Sequence, residues 1–118
     1  MIRAIRGAVT CENTRESICE GAKVMLEQII SKNALEIEQV VAVTFTCTKD
    51  LNAAYPAIAA REIGLTAASL MCLAEMDVPG SLEKCVRVQV LAEMDVPQKD
   101  VRHVYLRDAR VLRLDLAD

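Results

Sequence analysis

The sequence is poor in aromatic residues: it has no tryptophan, one phenylalanine and two tyrosines. It therefore lacks the row of rings on which single-stranded bases stack. The net charge is −3 at pH 7, which argues against a general nucleic-acid or anionic-membrane surface, because phosphate binding needs clustered positive charge. We expect no nucleic-acid partner and, if an anion binds, a local site for it.

Long apolar runs are also missing. No stretch reaches the roughly 18 to 20 apolar residues that a membrane span needs. The first six residues, MIRAIR, lack the apolar core of a signal peptide. These absences predict a cytoplasmic protein with no membrane partner.

Motifs for disulfides and metals are absent as well. The five cysteines form no CxxC pair, and His103 is the one histidine. This inventory predicts neither a disulfide framework nor a metal site. It also weakens the case for a Cys–His nucleophilic pair, since His103 would have to serve as the base.

The sequence does contain enough apolar material for a core, because 53% of its 118 residues are apolar. We expect a single domain spanning residues 1–118. Alternating or β-branched apolar stretches predict strands at 2–10, 40–47, 69–76, 85–91 and 103–106.

One long amphipathic helix is predicted after the first strand. Residues 13–16, Asn-Thr-Arg-Glu, resemble a capping box, and apolar residues then recur at helical spacing to about Asn33. A short helix is expected to begin at Pro56 and to end at Gly64. The elements together predict an α+β fold, in which a mixed β-sheet is covered on one face by the long helix.

The heptapeptide LAEMDVP occurs twice, at residues 73–79 and 91–97. Two short copies do not make a stacked repeat architecture. The duplication matters because it sets two glutamates, Glu75 and Glu93, in the same local sequence.

Three arginines lie in or beside apolar, strand-like segments: Arg6, Arg87 and Arg113. A guanidinium stays charged and carries five forked donors, so a half-buried arginine needs a carboxylate, a phosphate or a ligand oxyanion as partner. Converging arginines would form a pocket for a small polyanion. Alternatively, each is an ordinary surface arginine or pairs with one of the 17 acidic residues.

Other polar residues allow a structural role as well as a functional one. Glu75 ends an apolar strand and could simply be solvated there. Tyr105 offers a phenolic donor, although tyrosine is common in strands for packing alone. Cys72 and Cys85 suit small core positions, and His103 is interpreted as structural or exposed.

Four segments together resemble the monofunctional AroH-type chorismate mutase family. They cover most of the chain in the family's order and spacing: IRAIRGA (2–8), AAYPAIAARE (53–62), MCLAEMDVPGSLEKCVRV (71–88) and DVPQKDVRHVYLRDARVLR (95–113). The resemblance implies an isomerase of the shikimate pathway that converts chorismate to prephenate in aromatic amino-acid biosynthesis, with no metal and no cofactor. It also implies a homotrimeric pseudo-barrel with its sites at subunit interfaces.

The resemblance assigns roles to particular residues. Arg87 is expected to reach the ether oxygen and a carboxylate of the substrate. Glu75, with the backbone near Cys72, is expected to accept from the ring hydroxyl, and Arg6 and Tyr105 to hold a carboxylate. The other expected binding residues form the wall or the mouth of the pocket: Tyr55, Ala57, Arg61, Leu70, Met71, Leu112 and Arg113.

The interfacial pocket of the family further implies that each site is divided between two chains, and a domain of 118 residues also has little room for a closed site of its own. One chain would supply Arg6 and Arg87. Its neighbour would supply the other half: Tyr55, Arg61, Cys72 and Glu75.

The chain departs from the family pattern at the edge of the pocket. Tyr55 stands where a phenylalanine is usual, Ile58 where some members have a lysine, and Leu114 where a proline is usual. Two other functions stay open. One is a trimeric imine or enamine deaminase, whose C-terminal arginine and glutamate signature is missing here; the other is a regulatory module that binds a small amino or carboxylic acid.

Overall fold

Five strands form one mixed sheet in the computed structural model, which describes residues 1–115. They are β1 (Ile2–Thr10), β2 (Val40–Cys47), β3 (Ser69–Ala74), β4 (Cys85–Glu93) and β5 (Val104–Leu106). Their order is β3-β2-β4-β1-β5. The central strand β4 runs antiparallel to β1 and β2, whereas β3 is parallel to β2 and β5 is parallel to β1. The predicted mixed sheet is confirmed.

Two strands end at residues other than those predicted. β3 stops at Ala74, so that Glu75 lies just beyond it, and β4 continues to Glu93. The difference follows from position in the sheet. β4 is paired on both sides, and Glu93 still lies opposite Ile2 of β1, whereas the edge strand β3 is held by β2 alone.

Two helices cover one face of the sheet: α1 (Arg15–Lys32) and α2 (Ala57–Glu62). The start of α1 differs in detail from the predicted capping box. Its cap is Thr14, whose side chain accepts from the backbone N–H of Ser17. The Asn13 side chain instead accepts from the backbone of residues 52 and 53. Asn33 caps the C-terminal end of α1, close to the predicted position.

The core lies between these helices and the sheet. Alternate residues of β2 and β4 point into it and are buried: Val43, Phe45, Val86, Val88 and Val90. The helix packs tightly on the sheet at Gly7, where a Cβ atom would lie 2.9 Å from Val88 Cγ1 and 3.0 Å from Ile29 Cδ1. Glycine at this position therefore lets α1 pack directly on β1.

The opposite face of the sheet, the open face, is not covered by α1 or α2 and carries the other alternate residues of the strands, both polar and apolar. Its residues are Arg6 and Ala8 of β1, Thr44 and Thr46 of β2, Met71 and Leu73 of β3, Arg87 and Gln89 of β4, and Tyr105 of β5. A 3-10 helix, Arg107–Arg113, follows β5 and packs Ala109 and Leu112 against Ala8, Cys85 and Tyr105. Within residues 1–115 no helix is long and apolar enough to cross a bilayer.

Candidate active site

Neighbouring strands bring several of the expected site residues together on the open face. Arg87 lies opposite Thr46 on one side and opposite Ala8 on the other, and Ala8 in turn lies opposite Tyr105. Arg6 precedes Ala8 by two residues and so shares its face. Since directly opposite and diagonal residues lie about 5 to 8 Å apart, these two arginines and the tyrosine converge on one region.

Glu75 lies beside Arg87 at the end of β3. Its Oε1 is 3.6 Å from Arg87 Nη1, with the two side chains 23% and 47% exposed, respectively. The backbone N–H of Glu75 donates to the carbonyl of Cys47 at 3.0 Å, which ties the end of β3 to β2. One chain thus holds together two residues that we expected in different chains, because the chain after β3 folds over the open face toward β4.

His103 fixes the backbone of Arg6. The Arg6 N–H donates to Nδ1 of His103 at 2.9 Å, and Arg6 Nη2 lies 3.3 Å from Nε2 of the same ring. Burial, together with the nearby charges of Arg6 and Arg113, lowers the pKa of His103. The ring is therefore neutral at pH 7 and has a structural role here, in agreement with its sequence-based interpretation.

Arg113, at the end of the 3-10 helix, pairs with a carboxylate two residues further along the chain. Its Nε and Nη2 donate to the two oxygens of Asp115 at 3.1 and 2.8 Å. The Arg113 hydrogen bonds lower the pKa of Asp115, and the charge of Arg6 acts in the same direction.

A cavity of about 250 Å³ opens beside the Arg87–Glu75 pair. The pair supplies the charged groups of its lining. The other lining residues are polar or apolar: Thr48, Met76, Val78, Ser81, Leu82, Cys85 and Leu112. A fixed cation and a fixed carboxylate in such a chamber can stabilise developing negative charge and accept from a hydroxyl group.

The remaining expected residues lie elsewhere, mainly around the β3 edge. Cys72 and Leu70 pack against the core on the helix side, and Ala57 is buried in α2. Tyr55 and Cys72 line a second cleft, the edge cleft, of about 590 Å³, whose lining does not include Arg87 or Glu75. Arg61 and Met71 are exposed. One chain alone does not assemble all the expected residues into one site.

Cys85 lines the cavity beside Arg87 and Cys47 lines the edge cleft, whereas Cys11 lines neither. Burial raises the pKa of Cys47 to about 12 and the pKa values of Cys11 and Cys85 to about 11. At pH 7 these three side chains are protonated, so they serve as small packing residues rather than as nucleophiles. Within the described part of the chain, no three His, Cys, Asp or Glu side chains converge as metal ligands.

Sequence reasoning does not identify Thr46 as a site residue. Its Oγ1 is 2.7 Å from Glu75 Oε1, although the two residues are 29 positions apart. The alternation around buried Phe45 does indicate that Thr44 and Thr46 share the face away from the helices. It does not indicate which of the two meets a glutamate, because that contact depends on where β3 ends.

Comparison with known proteins gives one consistent result. Residues 2–116 match the family model for chorismate mutase type I. The chain is 47% identical to chorismate mutase AroH of Bacillus subtilis, covering 99% of this chain and 94% of the relative, and 46% identical to chorismate mutase AroH of Thermus thermophilus, covering 98% and 97%. The solved structure of a chorismate mutase from Clostridium thermocellum superposes with a TM-score of 0.90 at 50% identity, covering 92% of this chain and 97% of the other.

Proposed function

The chain belongs to the type I chorismate mutase family, and we propose that its active sites are shared between neighbouring subunits of a homotrimer. Family membership makes it an isomerase that converts chorismate to prephenate in aromatic amino-acid biosynthesis. The function predicted from the sequence is thereby confirmed over the deaminase and regulatory alternatives. Which residues act, and how the subunits divide them, is argued below from the geometry.

The reaction itself dictates what the protein must supply. It is a unimolecular rearrangement in which an ether C–O bond breaks as a C–C bond forms, and no proton has to move. The protein must hold a flexible dianion in its compact reactive conformer. It must also place a fixed positive charge where negative charge grows on the ether oxygen.

The placement of Arg87 carries this proposal. The residue projects from the central strand β4 toward the cavity of about 250 Å³, with its guanidinium next to Glu75. We assign to Arg87 the stabilisation of the ether oxygen, since a rigid strand fixes the donor before the substrate arrives. Glu75 accepts from the ring hydroxyl of the substrate. We assign substrate carboxylates to Arg6, Tyr105 and Arg113, of which Arg113 already pairs with the carboxylate of Asp115.

The sharing of sites is supported by what the single chain leaves incomplete. The β3 edge carries exposed apolar side chains that a partner would cover: Met71, Leu73, Met76 and Val78. The same edge carries the second group of expected binding residues, which the Arg87 cavity does not include: Tyr55, Cys72, Arg61, Leu70, Ala57 and Met71. We propose that this group completes the Arg87 cavity of a neighbouring chain.

A first experiment tests the activity itself. The purified chain is incubated with chorismate, and both the loss of the substrate's absorbance and the product are followed. Prephenate as the product supports the function. Release of ammonia from an imine substrate, or binding of chorismate without turnover, would contradict it.

A second experiment tests how the site is divided. Chains carrying Arg87→Ala are refolded in equal amounts with chains carrying Tyr55→Asp and Arg61→Glu, two exposed positions. If neighbouring chains share each site, about one quarter of all sites receive two intact halves after random assembly, and activity returns.

The matched control is a mixture of Arg87→Ala chains with Glu75→Ala chains. Because the two residues touch within one chain, we expect no recovery in this mixture. Recovery here, with none in the first mixture, would assign Glu75 to the neighbouring half of the site. A sedimentation measurement that gives a monomer or a dimer would contradict the trimer.

We also propose that residues 1–118 form one domain and that the enzyme works in the cytoplasm. One core cluster joins both helices to the sheet, and all five cysteines are free, which suits a reducing compartment. Limited proteolysis that releases a stably folded fragment would contradict the first statement. Recovery of the enzyme outside the cytoplasmic fraction would contradict the second.

A further inference from the structure

The hydroxyl of Thr46 holds one oxygen of the Glu75 carboxylate. Thr46 Oγ1 lies 2.7 Å from Glu75 Oε1, and because an ionised carboxylate only accepts, the hydroxyl is the donor. The other oxygen, Oε2, accepts a longer bond of 3.3 Å from the backbone N–H of Met76. Oε1 is therefore engaged, while Oε2 is the oxygen that is freer to meet a ligand.

Glu75 and Arg87 are close without forming a tight pair. Their nearest atoms, Oε1 and Nη1, are 3.6 Å apart, whereas a charge-assisted hydrogen bond measures about 2.7 to 2.9 Å. Thr46 lies opposite Arg87 in the register of β2 and β4. The hydroxyl and the guanidinium thus approach the same carboxylate oxygen, and only the hydroxyl lies at hydrogen-bond distance from it.

We propose that Thr46 is a positioning residue for the rearrangement, because its hydroxyl keeps the Glu75 carboxylate from closing on Arg87. The inference rests on the roles proposed above for those two residues. Without the hydroxyl, the carboxylate closes on the guanidinium as a two-pronged pair and occupies the donors that the ether oxygen needs. The positive charge is then partly neutralised where the transition state depends on it.

This role predicts a particular kinetic signature. The charge on Arg87 matters most after the C–O bond begins to break, so its loss lowers kcat. Substrate carboxylates are held mainly by other groups, so KM changes little. A residue that merely supported the sheet would instead change stability, or lower activity independently of Glu75.

The experiment compares three variants in the trimeric enzyme. Thr46→Val removes the hydroxyl at nearly constant volume, and Thr46→Ser retains it. Thr44→Val makes the same change two residues earlier on the same face of β2, where Thr44 lies opposite Gln89 and Met71 instead. Thermal unfolding and sedimentation are measured for each variant beside kcat and KM.

We expect kcat of Thr46→Val to fall about tenfold with KM within about twofold, while Thr46→Ser and Thr44→Val stay within about threefold of wild type. In a Glu75→Ala background, Thr46→Val should cause no further loss. The inference is overturned if Thr46→Val keeps its kcat, if Thr44→Val falls equally, or if the loss persists without Glu75. The wild-type enzyme and Arg87→Ala, assayed in parallel, test the proposed function separately.

Discussion

The two copies of LAEMDVP show the same seven residues in two different environments. In the first copy Met76 is 78% exposed and Ala74 is exposed, whereas in the second copy Met94 is 7% exposed and Ala92 is fully buried. Glu75 is 23% exposed and faces Arg87, but Glu93 is 59% exposed and pairs with the N-terminal amino group. Local sequence therefore decides neither burial nor chemical role here.

The position of each copy in the sheet accounts for the difference. The first copy leaves the edge strand β3, which has one neighbour, and then crosses the open face. The second copy continues the central strand β4 between β1 and β2. A central strand keeps its alternate residues in the core, whereas the end of an edge strand is free to bring a polar side chain to a site.

The largest expected effect is that of replacing Arg87, which Glu75 of the first copy faces. Arg87→Ala should lower kcat by about 10² to 10³ or more, because it removes the preorganised donor to the ether oxygen. Arg87→Lys should restore only part of the rate, since an ammonium lacks the forked donor geometry.

Steady-state assays on variants of matched oligomeric state check this expectation. Thermal unfolding serves as the control, because the half-exposed Arg87 side chain contributes little to the core. If Arg87→Ala keeps kcat/KM within about threefold of wild type, Arg87 is not the partner of the ether oxygen.

The two glutamates give the direct test of the comparison. Glu75→Gln should lower kcat/KM about 10- to 100-fold, because a charged acceptor for the ring hydroxyl is lost, whereas Glu93→Gln should stay within about threefold. Each variant is the other's control, since the same substitution is made in the same heptapeptide. The opposite ranking would show that the second copy serves the site.

The two methionines test the structural half of the comparison. Met94→Ala should lower the free energy of unfolding by about 2 to 5 kcal/mol, because it leaves a cavity in the core. Met76→Ala should lower it by less, and the loss should depend on protein concentration, because this side chain is exposed in the single chain and we propose that only a neighbouring subunit covers it. Denaturant titration at several protein concentrations measures both values, and a loss for Met76→Ala that equals the loss for Met94→Ala at every concentration would contradict the comparison.

The smallest expected effect is that of pH on the rate. No assigned role needs a proton transfer, so kcat/KM should be nearly flat from about pH 6 to pH 9, and a chelator should leave it unchanged. Stability should behave differently, because the folded state lowers the pKa of His103.

Folding that lowers a histidine pKa favours the neutral ring. The contribution of His103 is therefore complete above its unfolded pKa of about 6.5 and declines as the pH falls toward the lowered folded value. Denaturation curves at several pH values measure this loss, with His103→Gln as the variant in which it should disappear. For the catalytic rate, a bell-shaped pH profile of kcat/KM or inactivation by a chelator would contradict the mechanism.

Regular alternation made most of the fold predictable from sequence. The pattern of Val86, Val88 and Val90 against Arg87 and Gln89 already fixes the face on which Arg87 lies, and the structure confirms it. The helices and the mixed sheet follow from equally local signals. The roles of the site residues came from the family resemblance and remain proposals.

Contacts that depend on chain ends and turns were not predictable. Glu75 meets Thr46 and Arg87 because β3 stops at Ala74, and strand length at a sheet edge depends on pairing, not on local sequence. The cap of α1 shifted by one residue for a similar reason, as Asn13 is occupied by the loop at Asn52. Such contacts join segments that are far apart in the sequence, so they cannot be predicted from a window of neighbouring residues.

Gly7 limits how the chain can change during evolution or directed mutagenesis. On the helix side it has no space for a methyl group, since Val88 and Ile29 lie within 3.0 Å of where one would be. Its chain neighbours Arg6 and Ala8 lie on the opposite face of the sheet. Ala8 is opposite Arg87 of β4 and Tyr105 of β5. A larger residue at position 7 that pushes β1 away from the helix, to avoid the clash with Val88 and Ile29, therefore also displaces Arg6 and Ala8. In a library of variants, position 7 should therefore be one at which thermal tolerance and substrate affinity vary together.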